Sequence, residues 1–146
     1  MYSVSTSDTS QVTAIPTTIT NQGFVTVRGD GTNWYGATFA ANSGGNWTSG
    51  NIYKSGVIFL GNFSGSWSQA TTHTLKIVAS GTTTVTLTVY VDCVSAGSAT
   101  DSTSPLPAGG HPGLMVVSGD PTLGWRLWQD HSYEKYTFIY SPALSG

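Results

Sequence analysis

The sequence predicts an all-β protein, an antiparallel β-sandwich of jelly-roll type, and three observations point there. Apolar residues recur at every second position. In His73–Val94 this puts Leu75, Ile77 and Ala79, then Val85, Leu87, Val89, Val91 and Cys93, on one side. No stretch shows helical spacing. Clusters of Gly, Asn, Ser and Pro cut the chain into many short segments, the punctuation of sandwiches and barrels.

Taken in order, the alternation predicts strands over Gln11–Thr20, Gly23–Arg28, Tyr35–Ala41, Asn51–Leu60, Thr74–Ala79, Thr84–Val94, Gly113–Ser118, Trp125–Gln129 and Lys135–Tyr140. Turns are expected at "RGDGTN", "ANSGGNWTSG", "GNFSGSWSQATT", "SGTT", "SAGSATDSTSPLPAGGHP" and "SGDPTLG". The break at Ser80–Gly81 is a hairpin, because Gly supplies the positive φ that a tight turn needs. Thr84, Thr86, Thr88 and Tyr90 then alternate outward, which leaves one apolar face and one hydroxyl face. Cys93 is the single cysteine, so no intrachain disulfide forms. Its apolar phase predicts a small buried side chain.

A chain of 146 residues suits one domain, and at this length about 70% of the unfolded surface can be buried without a disulfide or metal. Residues 1–146 are therefore expected to form a single β-sandwich, with 1–22 and 131–146 extending into a partner. Charged residues make up 8% against a usual value of about 25%. The net charge is −2, and the five cations Arg28, Lys54, Lys76, Arg126 and Lys135 are scattered. No basic footprint for nucleic acid exists, and no apolar run is long enough to insert into a membrane. The segment "MYSVSTSDTSQ" lacks the cationic start and apolar core of a secretory signal.

Site chemistry is sparse. Glycan hydrolysis needs two flanking carboxylates, yet no two of Asp8, Asp30, Asp92, Asp101, Asp120, Asp130 and Glu134 are spaced i, i+2. His73, His111 and His131 lie far apart and read as surface or turn residues. No nucleophile elbow is present. "RGDGTN" and "SGDP" offer oxygen ligands but lack the calcium-loop pattern. No catalytic residue, metal or cofactor is expected. Arg28-Gly29-Asp30 reads as a turn rather than an adhesion tripeptide. Asn46-Trp47-Thr48 and Asn62-Phe63-Ser64 are formal glycosylation sequons.

The tryptophans carry more. Trp34, Trp47 and Trp67 lie in or beside Asn/Gly/Ser-rich stretches. They either cap the core, burying large apolar area, or stack on sugar rings while neighbouring amides bond the hydroxyls. On the second alternative Asn33, Trp34, Tyr35, Asn46 and Trp47 form the glycan site. Trp125 and Trp128 fall on opposite faces of one strand, so at most one points to the core. With Tyr136, Phe138 and Tyr140 they are the interface candidates.

In order, "TVRGDGTNWYGATFA", "LGNFSGSWSQATTHTLKIVASG", "VTLTVYVDCV", "DSTSPLPAGGHPGL" and "GWRLWQD" resemble a concanavalin A-like, laminin-G-like jelly-roll module. The resemblance spans roughly Gly23 to Asp130 and includes no catalytic motif. Two departures stand out: Cys93 occupies a position where the family usually has Gly, and "MYSVSTSDTSQVTAIPTTITNQ" replaces the usual opening segment. Such modules occur as accessory domains of bacterial carbohydrate-active proteins, in adhesins and in phage virion proteins. The resemblance, the low charge and the missing signal together imply a non-catalytic structural subunit. It is expected on a virion or extracellular surface, as a capsid-decoration or fibre protein in a homo-oligomer or capsid lattice. A secreted lectin or carbohydrate-binding module is the alternative.

Overall fold

The computed structural model describes the backbone of residues 7–14, 23–71, 73–116, 123–130 and 135–142, and the side chains of 8–9, 25–71 and 73–113. Its strands, in chain order, are β1 Ser7–Ala14, β2 Gly23–Gly29, β3 Tyr35–Ser43, β4 Asn46–Lys54, β5 Ile58–Ser68, β6 His73–Ser80, β7 Val85–Val91, β8 Val94–Asp101, β9 His111–Val116, β10 Leu123–Asp130 and β11 Lys135–Pro142. They form a six-stranded sheet, β10-β11-β1-β6-β7-β8, packed on a five-stranded sheet, β5-β4-β3-β2-β9. Pairing is antiparallel except between β1 and β11. The chain is thus the β-sandwich its alternation predicts.

The core is the sum of the inward parities. From the six-stranded sheet come Leu75, Ile77, Ala79, Val85, Leu87, Val89 and Val91; from the other come Val25, Val27, Ala37, Phe39, Trp47, Ile52 and Phe63. The register sets Leu75 opposite Val91, Ile77 opposite Val89 and Ala79 opposite Leu87. The aliphatic side chains therefore line up in rows, each buried Val, Leu or Ile contributing about 1.5–3 kcal/mol. On the outer face Thr86 is exposed and Thr88 and Tyr90 are half-buried. The Lys76 ammonium there lies 4.3 Å from the Tyr90 ring centroid.

Several turns fall where the sequence did not place them. The expected strand Asn51–Leu60 is broken at 55–57, between β4 and β5, where Ser55 and Gly56 have φ of 54° and 72°. The expected strand Thr84–Val94 is broken at Asp92–Cys93, with φ of 51° and 68°. Val91 pairs with Val94, so these two residues make a two-residue hairpin of the type that needs positive φ at both positions. Cys93 is consequently exposed in that turn, not buried on a strand. A backbone of this kind favours Gly at that position. Conversely, most of "ANSGGNWTSG" and "GNFSGSWSQATT", and Ser95–Asp101, are strand rather than loop. Their Asn, Ser and Gly residues satisfy the ladder with backbone groups alone. β1 begins earlier than expected, at Ser7, and residues 15–22 lie outside the described residues.

Two glycines bring the sheets together along one side. A Cβ at Gly97 would lie 2.7 Å from the Asn62 carbonyl oxygen, and one at Gly61 would lie 2.9 Å from the Ala99 Cβ. Edge strands β5 and β8 thereby close on each other. At the other side β1 and β11, the segments expected to reach into a partner, hydrogen-bond each other within the chain.

Leu87→Ala is expected to cost about 2–5 kcal/mol in urea unfolding, since Leu87 is fully buried. Cys93→Gly is expected to raise stability by about 0.5–1 kcal/mol. An L residue at this φ costs about 1–2 kcal/mol, partly offset by the greater unfolded freedom of Gly. An unchanged midpoint would contradict the strain.

Candidate functional site

Four charged side chains, Asp8, Arg28, Lys54 and Asp101, meet at one end of the sandwich. Lys54 ends β4 at the parity of buried Ile52, and Asp101 ends β8 at the parity of buried Ala99. Both are buried. Asp101 Oδ2 accepts hydrogen bonds from Lys54 Nζ at 2.8 Å and from the Tyr35 hydroxyl at 2.8 Å, while Oδ1 accepts from Thr103 N at 3.0 Å. The Tyr35 oxygen in turn accepts from Leu106 N at 2.8 Å, and Lys54 donates to the carbonyl of Ser104. Arg28 approaches from β2, where the register slips between Thr26 and Gly29 and Arg28 itself has φ of 55°. Its Nε donates to Asp8 Oδ2 at 2.7 Å and its Nη1 to the Leu106 carbonyl at 3.0 Å. Two ion pairs and one tyrosine therefore pin residues 103–106 across the end of the core.

Electrostatics follow from this wiring. Burial pushes the Tyr35 hydroxyl up to about 12, helped by Asp101 and opposed by the Leu106 N–H. Burial also pushes the Asp101 carboxyl up, but Lys54, Tyr35 and the Thr103 N–H outweigh it and hold the group below the ordinary carboxylate value. The loop lies directly over the cluster: a Cβ at Gly110 would come within 2.6 Å of the Arg28 backbone. Such groups hold a loop. The tripeptide Arg28-Gly29-Asp30 likewise starts with a buried guanidinium.

The expected glycan residues divide. Tyr35 belongs to this cluster and Trp47 to an aromatic cluster in the core, and both are fully buried. Phe39 stacks on Trp47 at 5.6 Å and meets Phe63 and Trp67 at 5.8 and 5.6 Å, pairs each worth about 0.5–1.5 kcal/mol beyond their area. Trp34 is 8% exposed and lies against Gly56. These rings cap and fill the core, so the expected stacking platform is corrected at Tyr35 and Trp47, and Trp34 offers little ring surface. Asn33 is half-buried and takes part in the Asp30 turn and a bond from the Ser55 hydroxyl at 3.2 Å. Asn46 is half-buried at the start of β4, opposite Ser43.

Each remaining described carboxylate is also engaged. Asp30 accepts from Thr32 N and Asn33 N at 2.8 and 2.7 Å, and these backbone bonds lower its pKa. That is a turn cap. Asp92 is raised by burial but lowered more by the Thr74 N–H and by His73, whose Nδ1 lies 2.7 Å from Oδ2. His73 is thus a partnered, half-buried residue rather than a free surface one. Among the described residues no group of three His, Cys, Asp or Glu could hold a metal, and no helix is long and apolar enough to cross a membrane. Asp120, His131 and Glu134 lie outside the described residues.

Exposed apolar side chains that the sequence did not mark cluster at the β4–β5 turn, with Val94, 69% exposed, standing apart from them. Val57, Ile58 and Phe59, at the β4–β5 turn, are 80%, 51% and 56% exposed, with Tyr53 edge-on to Phe59 at 5.8 Å. The interface candidates lie on the β10–β11 hairpin. Trp125 stands opposite Tyr140, Trp128 opposite Thr137, and Tyr136 and Phe138 opposite Gln129 and Leu127. Their side chains lie outside the described residues.

Asp101→Ala is expected to cost about 3–5 kcal/mol, because it strands a buried lysine. The pH dependence has two limbs. The Asp101 contribution is present above its ordinary value of 3.8 and lost as pH falls below it. The Tyr35 contribution is present below 10.0 and lost as pH rises toward about 12. Denaturant midpoints against pH should show a shallower acid limb in Asp101→Asn and a shallower alkaline limb in Tyr35→Phe.

No protein-family model, curated protein or solved structure matches the chain.

Proposed function

We propose that the chain is a non-catalytic structural surface protein that self-assembles, and that its setting is a virion, as a capsid-decoration or fibre subunit. One observation carries this reading. Every described carboxylate is engaged by partners within the fold, and the remaining surface is neutral and hydroxyl-rich with an exposed apolar hairpin tip. A surface of this kind has little chemistry to offer a substrate and much area to offer another protein. Low charge also leaves little like-charge repulsion to oppose close packing of copies. The lectin alternative loses its main support with the burial of Tyr35 and Trp47.

The test is the mass of the purified chain by light scattering across a concentration series. A defined oligomer or a polymer is expected. A 15.3 kDa monomer at every concentration overturns the proposal.

A further inference from the structure

Among the described residues four strands end the two sheets: β8 and β10 in one, β5 and β9 in the other. An open strand edge is a template for pairing with another chain unless it is covered, bulged or interrupted. Edges β5 and β8 cover each other through the close approach at Gly61 and Gly97. β9 carries Pro112 and slips register against β2, two devices that spoil an edge. β10 has neither. It runs in unbroken register with β11 over all eight residues, contains no proline, and pairs with no other described strand.

We propose that β10 pairs antiparallel with β10 of a second copy of this chain, about a two-fold axis centred on Trp128. The charge pattern selects both the partner and the register. Arg126 lies two residues before Trp128 and Asp130 two residues after, so the three share one face of the strand. Antiparallel pairing centred on Trp128 sets Arg126 opposite Asp130 of the second copy, and the symmetry repeats the match. A chain with only five cations and seven anions thus has one of each where a self-pairing edge needs them, and opposite charges directly across strands stabilise a pair. Within its own hairpin Asp130 stands opposite Lys135 and Arg126 opposite Ile139. The paired row therefore alternates in sign from Lys135 through Asp130 to Arg126 of the second copy. The contact is isologous and joins the two six-stranded sheets into one. It rests on the assembling role proposed above and names the surface that does it.

The test uses the full chain and two charge reversals, each checked for native circular dichroism. Arg126→Asp sets two aspartates against each other, and Asp130→Arg sets two arginines. Each alone is expected to weaken self-association by about tenfold or more, read as a fall in mass by light scattering. Mixed in equal amounts, the two variants restore complementary pairs at both positions, and the mass should return to the wild-type value. If Asp130→Arg does not fold, Arg126→Asp alone decides, because Ile139 faces it in the hairpin. An oligomeric wild type whose mass neither variant changes, or a mixture that stays dissociated, overturns the β10 contact and leaves the assembling role standing. A wild type that is monomeric at every concentration overturns both.

Discussion

The Asp101 carboxylate sits where water does not reach, and such a charge is tolerable only when paired and fully hydrogen-bonded. Lys54, Tyr35 and the Thr103 N–H meet that requirement from three separate parts of the chain. Each partner is then committed in turn. Lys54 must remain at the end of β4, Tyr35 at the start of β3, and residues 103–106 must return across the end of the sandwich to supply backbone groups. Arg28 and Asp8 extend the same wiring to β2 and β1. Paired ions of this kind are weak evidence for net stability, because well-packed apolar residues could fill the same space. What they supply is a single arrangement: a slipped strand or a displaced loop would leave a bare charge inside.

A second constraint acts along the side of the fold. Two stacked sheets usually stand about 10 Å apart, yet β5 and β8 approach until no Cβ fits at Gly97. Glycine is therefore a packing residue here, and the closure it permits covers two of the four sheet edges. The aromatic cluster of Phe39, Trp47, Phe63 and Trp67 fills the core where β3, β4 and β5 meet. Four of the described large rings thus fill the core.

These two constraints bear on function through what they remove. Among the described residues each carboxylate is engaged by partners within the fold, and Trp34 and Trp47 are engaged in packing. A low-charge β surface, one apolar hairpin tip and a regular strand edge are what remain for contact with other molecules. That inventory suits the self-association proposed above, and the sign pattern about Trp128 is the feature that proposal rests on.

The two-residue period in segments such as Leu75–Ala79 and Val85–Val91 determined, by itself, that the chain is a β-sandwich, and which parity of those strands is buried. The hairpin at Gly81 was legible for the same reason, since a local backbone requirement has a local residue signature. The β7–β8 turn was not, because Asp92–Cys93 adopts a conformation that favours Gly without containing one. Edge strands β5 and β8 were hidden because a ladder made by backbone groups needs no apolar pattern. Whether Trp47 met solvent or core was undecidable from its Asn/Gly surroundings. Only the tertiary structure decided it, by stacking Phe39 on the ring. The same holds for the ion pairs. Lys54 and Asp101 stand 47 residues apart, and their one trace in the sequence is a charge at a core parity. That trace acquires meaning only when the fold brings the opposite charge to the same place, because electrostatic pairing depends on distance in space and not along the chain.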